Sequence, residues 1–206
     1  MAATVTTPRV SARDRLLAAA DELFYAEGVH TVGIDRIIEQ AGVAKATLYN
    51  NFGSKEELVK AYLESRHVSM AEKITRLVER QDTPRERLLA VFDAIGELFE
   101  QPGFRGCAFV SATAEAPAGG LIEQASREYR TWANALFADL ADQAGAADPQ
   151  GLARQLHLLF DGASLAANLD RNPAAAVYAR NAAAALLDAA TAPEVAGAHR
   201  EESAVL

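Results

Sequence analysis

Residues 33–52 constrain this chain more than any other stretch. They read Gly33-Ile34-Asp35-Arg36-Ile37-Ile38-Glu39-Gln40-Ala41-Gly42 and then Val43-Ala44-Lys45-Ala46-Thr47-Leu48-Tyr49-Asn50-Asn51-Phe52. Ile34, Ile37, Ile38 and Ala41 recur at helical spacing and form one apolar stripe that has to be buried. Gly42 supplies the permissive backbone that a sharp turn needs, and Val43 plugs the angle between two helices. Past the turn, Leu48 and Phe52 point back to a core. Lys45, Thr47, Tyr49 and Asn51 are polar groups able to reach phosphates or base edges. Two short helices on a tight turn have the geometry of a DNA-reading helix-turn-helix. The competing reading is an ordinary helix pair within a helical protein.

The remainder of the chain points to an all-α protein. Half of its 206 residues are apolar, Ala and Leu dominate, and Pro and Gly fall mainly between periodic segments. The single cysteine, Cys107, rules out an internal disulfide framework and fits a reducing compartment. No apolar run approaches the roughly 18 residues of a membrane span, and the N-terminus lacks the basic-then-apolar order of a signal peptide. The expectation is a cytoplasmic protein with no membrane partner. The net charge of −8 is unevenly placed: residues 1–66 hold eight Lys/Arg against nine Asp/Glu, and the rest holds twelve against nineteen. The acidity therefore lies away from the helix-turn-helix, and a near-neutral head can still present a local basic face.

Capping signals divide the chain into about nine helices. Ser11 opens the first, which carries Leu16, Leu17, Ala20, Leu23 and Phe24 on one face and stops at Gly28. Gly53 ends the recognition helix, and Ser54 with Glu57 forms a capping box for a long helix to about residue 80. Thr83-Pro84 starts another that ends before Pro102-Gly103. Residues 104–115 are apolar nearly all round and are expected to be buried. Helices then follow over about 121–144, from Asp148-Pro149, and from Asn172-Pro173 to about 190. Residues 1–10 and 193–206 lack periodicity and are expected to be disordered.

Taken together, these elements resemble the TetR family of transcriptional regulators, in which a three-helix DNA-binding head precedes a helical effector-binding and dimerisation body. The residues that carry the resemblance are Leu23-Phe24, Gly28, Ile37, Ala41-Gly42-Val43, Thr47-Leu48-Tyr49, Phe52, Ser54-Lys55 and Leu58. Beyond about residue 65 the likeness is architectural only. It implies a head over 11–56, with the helix-turn-helix at about 33–52, and a body over 57–192. It further implies that Thr47 and Tyr49 position the helix on phosphates and that Lys55 adds its charge to a helix N-terminus. Lys45 becomes the candidate for guanine, or for a phosphate alone, and Ala44 and Ala46 could touch thymine methyls. Asn50, Asn51 and Arg36 are further DNA-binding candidates.

The chain departs from the family at three positions: Asn51 where histidine is common, Gly33 where a Ser/Thr cap is usual, and Asp35 where a DNA-contacting residue is frequent. A carboxylate at Asp35 is repelled by phosphates unless it accepts from a cytosine amino group or pairs with Arg36.

For the body, the resemblance implies an unknown apolar or amphipathic small-molecule effector and a homodimer formed by the last two helices. Candidate pocket residues are Phe92, Phe99, Phe104, Cys107, Phe109, Val110, Thr113 and Trp132, each of which core packing would also explain. Cys107 reads either as an oxidant sensor or as a small buried hydrophobe. Candidate dimer residues are Leu156, Phe160, Ala163, Ala183 and Leu186, with intramolecular core as the alternative. No catalytic, metal or cofactor constellation is apparent, since His30, His67, His157 and His199 are scattered and Gly119-Gly120 lacks the spacing of a phosphate cradle. The expected function is a ligand-responsive regulator, a repressor released from a near-palindromic operator in double-stranded DNA. An activator, or a helical interaction module that does not bind DNA, is the alternative.

Overall fold

Four helix starts fall where a side-chain cap sets them. In the computed structural model, which describes residues 10–192, α1 (Ala12–Glu27) begins where the Ser11 side chain accepts from the Asp14 N–H. After it come α2 (Ile34–Ala41) and α3 (Lys45–Phe52), then the long α4 (Lys55–Val78). The Ser54 side chain caps α4 by accepting from the Glu57 N–H at 3.1 Å. The expected reciprocal bond is not made, because the Ser54 N–H donates to the Phe52 carbonyl instead.

Thr83 and Asp148 likewise cap α5 (Pro84–Phe99) and α8 (Pro149–Leu169), each with proline in the first turn. Between them lie α6 (Ala108–Glu115) and α7 (Leu121–Gln143). The last helix, α9 (Ala175–Thr191), starts just after the expected Asn172-Pro173, where the Asn172 side chain accepts from the Ala174 N–H. The described residues are helical with no strand. The terminal stretches expected to be disordered, and His199, lie outside the described residues, apart from Val10.

Two apolar clusters organise the packing. One joins Leu16, Phe24, Ile37, Leu48 and Phe52 of α1–α3 to Leu58, Tyr62 and Leu63 of α4, and continues into Phe109 of α6 and Tyr129 of α7. The other is built from α5, α7, α8 and α9 around Phe92, Phe137, Leu156 and Phe160. The head's core thus runs past residue 56 into α4, α6 and α7, which ties head to body without a flexible linker. The stretch 104–115 is less buried than its composition implies: only Gly106, Phe109 and Ala112 are fully buried, and Val110 is 56 % exposed. The reason is that α6 is a short peripheral helix with one face against α4 and α7.

Candidate nucleic-acid interface and effector cavities

The turn between α2 and α3 is set by Gly42, which is left-handed at φ 61° and ψ 46°. Its N–H donates to the Glu39 carbonyl and the Val43 N–H to the Ile38 carbonyl, both at 3.1 Å. These two bonds close α2, while Val43 and Ile38 pack on the same core. Arg15 of α1 donates to the Gly42 carbonyl at 3.4 Å. Leu48 and Phe52 bury the inner face of α3, and the Arg13 guanidinium lies 5.1 Å over the Phe52 ring. The opposite face of α3 carries Lys45, Ala46, Tyr49 and Asn50 into solvent, and Thr47 is half-buried.

Several candidate DNA contacts are engaged within the chain. Lys45 pairs with Asp35 at 3.0 Å, and this bond holds its ammonium above the usual lysine range. Asp35 therefore pairs with Lys45, not with the neighbouring Arg36. Arg36 instead grips Glu27 of α1 through two bonds of 2.5 and 2.8 Å. Exposed ion pairs of this kind are weak, so phosphates can compete for their cations. The Asn51 amide donates back to the Thr47 carbonyl at 2.7 Å, which occupies one of its two N–H groups. Lys55 turns toward the seam behind the head, with its ammonium 3.4 Å from the His30 carbonyl. Burial pushes its pKa down, against the attraction of Glu115.

The body contains two neighbouring cavities. One, of about 460 Å³, lies among α1, α4 and α6–α8 and is lined by Tyr25, Arg66, Met70, Phe104, Cys107 and Phe109. The other, of about 520 Å³, lies among α6, α7 and α8 and includes Val110, Thr113, Ser126, Arg130 and Asp161. Cys107, Phe109 and Tyr129 line both and partition them. The Phe109 and Tyr129 rings stack at 4.0 Å and 4°, and Thr113 and Ser126 share a hydrogen bond of 2.6 Å. Burial raises the Cys107 thiol pKa. Phe104, Cys107, Phe109, Val110 and Thr113 thus reach a cavity, whereas Phe92, Phe99 and Trp132 lie outside both. Phe92 is fully buried in the body core, Phe99 packs on Phe104 at 4.8 Å, and Trp132 packs on His67 at 4.7 Å.

The candidate dimer residues sit in the chain's own core. Leu156, Phe160, Ala163 and Ala183 are all buried there, with Leu186 half-buried beside them. They leave little surface for a partner. The exposed apolar residues of α8 and α9 lie on the other face: Leu158, Leu165, Leu169, Val177 and Tyr178.

Sequence reasoning missed the seam between head and body. The Glu115 carboxylate at the end of α6 accepts from the His30 N–H at 2.7 Å. It sits so close to Gly28 that a Cβ there would lie 2.6 Å from Oε1. The Tyr25 hydroxyl donates to the Gly106 carbonyl at 3.0 Å and accepts from the Arg105 N–H at 2.9 Å. Glu56 accepts from the Leu121 N–H at 3.0 Å, satisfying the start of α7. Partners 65 to 85 residues apart leave no local sequence signal.

The arrangement matches known proteins at three levels. Residues 16–62 match the model of the bacterial regulatory proteins of the tetR family. A solved TetR-family regulator from Streptomyces coelicolor superposes with a TM-score of 0.82 at 35 % identity, covering 88 % of this chain and 96 % of that one. The chain belongs to the TetR family. Among other relatives of this TetR-family chain is the transcriptional activator FasR of Mycolicibacterium smegmatis, 42 % identical over 94 residues, which are 45 % of this chain and 42 % of FasR. The transcriptional repressor NemR of Escherichia coli is 30 % identical over 105 residues, 50 % of this chain and 53 % of NemR. The chain thus spans about half the length of these two relatives. TetR-family proteins are transcriptional regulators, not enzymes. Among the described residues no helix is long and apolar enough to cross a membrane.

Proposed function

We propose that this TetR-family protein is a ligand-responsive regulator that binds double-stranded DNA as a homodimer in the cytoplasm. The observation that carries this reading is the division of α3: Leu48 and Phe52 anchor it, while Lys45, Ala46, Tyr49 and Asn50 stand uncovered on the opposite face. That face suits a helix laid in a major groove, with the Tyr49 hydroxyl positioned on a phosphate oxygen. The exposed apolar face of α8 and α9 supports self-association, since Leu158 (71 % exposed), Leu169 (68 %) and Tyr178 (67 %) form an apolar surface suited to a twofold helical bundle. A twofold protein reads a near-palindrome.

The two cavities support an apolar or amphipathic effector. Their shared wall is α6, whose last residue, Glu115, holds the turn before α2 and lies beside Lys55. A ligand that displaces α6 withdraws Glu115 from the head, which favours repression relieved by ligand. The relatives include both an activator and a repressor.

The test is binding to the duplex upstream of the protein's own gene across a salt series, for the wild type, Tyr49→Phe and Lys55→Ala. The expected result is a steep loss of affinity with salt, about 10-fold weaker binding for Tyr49→Phe, and a salt slope shallower by about one for Lys55→Ala. Binding that ignores salt and both substitutions would overturn the proposal.

A further inference from the structure

Resting on that DNA-binding reading, we infer that Asp35 and Lys45 act together as a specificity-determining pair that reads one G·C base pair in each half-site, with Lys45 facing guanine and Asp35 facing cytosine. Asp35 lies in the first turn of α2 and Lys45 is the first residue of α3, so the inter-helix turn brings both to one edge of the helix-turn-helix, the edge that the DNA-binding reading turns toward the groove. Their charged atoms are 3.0 Å apart, and their side chains are 81 % and 56 % exposed. An ion pair so exposed is too weak to be explained as a device for holding the head together. The tight Gly42 turn is already closed by its own backbone bonds and by Arg15.

The pair's chemistry matches one edge of the duplex. A carboxylate beside two phosphate backbones is repelled, so once Lys45 turns its ammonium to the duplex Asp35 is tolerable there only against a second donor. In the major groove the cytosine N4 amino group is such a donor, and guanine presents O6 and N7 as adjacent acceptors. Guanine O6 and cytosine N4 are hydrogen-bonded to each other and therefore lie about 2.9 Å apart. That separation is the spacing of the Lys45 ammonium and the Asp35 carboxylate oxygen. Adenine and thymine offer the donor and acceptor too, but thymine gives Lys45 a single acceptor beside a methyl group, where guanine gives two. The flanking exposed side chains, Ala44 and Ala46, bring no donor that could replace Lys45.

The experiment selects bound duplexes from a library randomised over both half-sites. It then measures competition binding of the wild type, Asp35→Ala, Asp35→Asn and Lys45→Ala on duplexes with each base pair at each position. The wild type should prefer G·C at one position per half-site by about 5- to 150-fold. Asp35→Ala and Lys45→Ala should each lose that preference at the same position. Asp35→Ala should also bind random-sequence DNA more tightly, because a repelled carboxylate is gone and Lys45 is released to a phosphate. Asp35→Asn should relax the position less than Asp35→Ala, since its carbonyl still accepts. Three results overturn the inference: preferences that survive Asp35→Ala, a position altered by only one of the two residues, or an A·T preference there. Salt-dependent binding to random DNA in all four proteins alongside any of these results would leave the DNA-binding reading standing. A wild type that binds no duplex overturns both.

Discussion

Gly28 carries two constraints at once. Its φ of 92° is unfavourable for any side chain, and its Cα faces the Glu115 carboxylate so closely that a methyl group would lie 2.6 Å from Oε1. Gly28→Ala should therefore cost about 1–3 kcal/mol in denaturant unfolding. Adding Glu115→Ala should recover the steric part of that loss, leaving the backbone part. A double variant whose losses simply add would show that the two residues are not in contact.

A second residue-scale consequence concerns acid. His157 is 2 % exposed, among Phe137 and Phe160, and its Nε2 lacks a hydrogen-bond partner among the described residues. Burial lowers its pKa below the ordinary 6.5; Asp161 opposes that shift and Arg130 reinforces it. The unfolded chain then binds more protons than the folded one as pH falls below 6.5. Stability is thus complete above that value and declines toward the folded pKa. His67, lowered by burial as well, adds to the same slope. Unfolding free energies at pH 7.5 and 5.5 should fall less for His157→Leu than for the wild type. An equal fall in both would contradict this account.

Among the elements, α6 is the one whose loosening should matter most. It is only eight residues long, lacks a side-chain N-cap, and walls both cavities. Phe109→Ala removes the ring stacked on Tyr129 and merges the cavities, at an expected cost of about 3–5 kcal/mol in unfolding free energy. A loss below about 1 kcal/mol would mean that the partition is not packed as described.

The elements also show what could be read from sequence. Ser11, Thr83-Pro84 and Asp148-Pro149 marked their helix starts because capping is a contact over three residues. The helix-turn-helix was legible because Gly42 and the stripe from Ile34 to Ala41 are local too. The exposure of Val110, the pairing of Asp35 with Lys45 and the Glu115 seam were not legible. The exposure of Val110 and the Glu115 seam depend on how distant helices meet, and the Asp35–Lys45 pair on the angle between α2 and α3; composition is blind to both. The same blindness affected α8, where apolarity on more than one face does not say which face is the core. Phe160 turned inward and Leu165 outward.

For the whole molecule, the proposal requires two copies whose α3 helices are held at a fixed separation by the α8–α9 face. Replacing Leu165 or Tyr178 with Glu places a charge on that face without touching the core. Sedimentation should then show the mass falling from twice the 22.0 kDa chain mass to the single chain, with unfolding of the monomer still cooperative. Loss of the dimer should weaken binding to a paired site far more than to a single half-site. A variant that stays dimeric would move the interface elsewhere.

The most direct measurement is a hydroxyl-radical footprint of the ligand-free protein on its upstream DNA. Two protected half-sites should appear, related by a twofold axis, with recognition centres about 10 bp or a related spacing apart. The protection should vanish together at both half-sites with Tyr178→Glu. Protection of one isolated groove, or an unprotected duplex under low salt, would contradict the account.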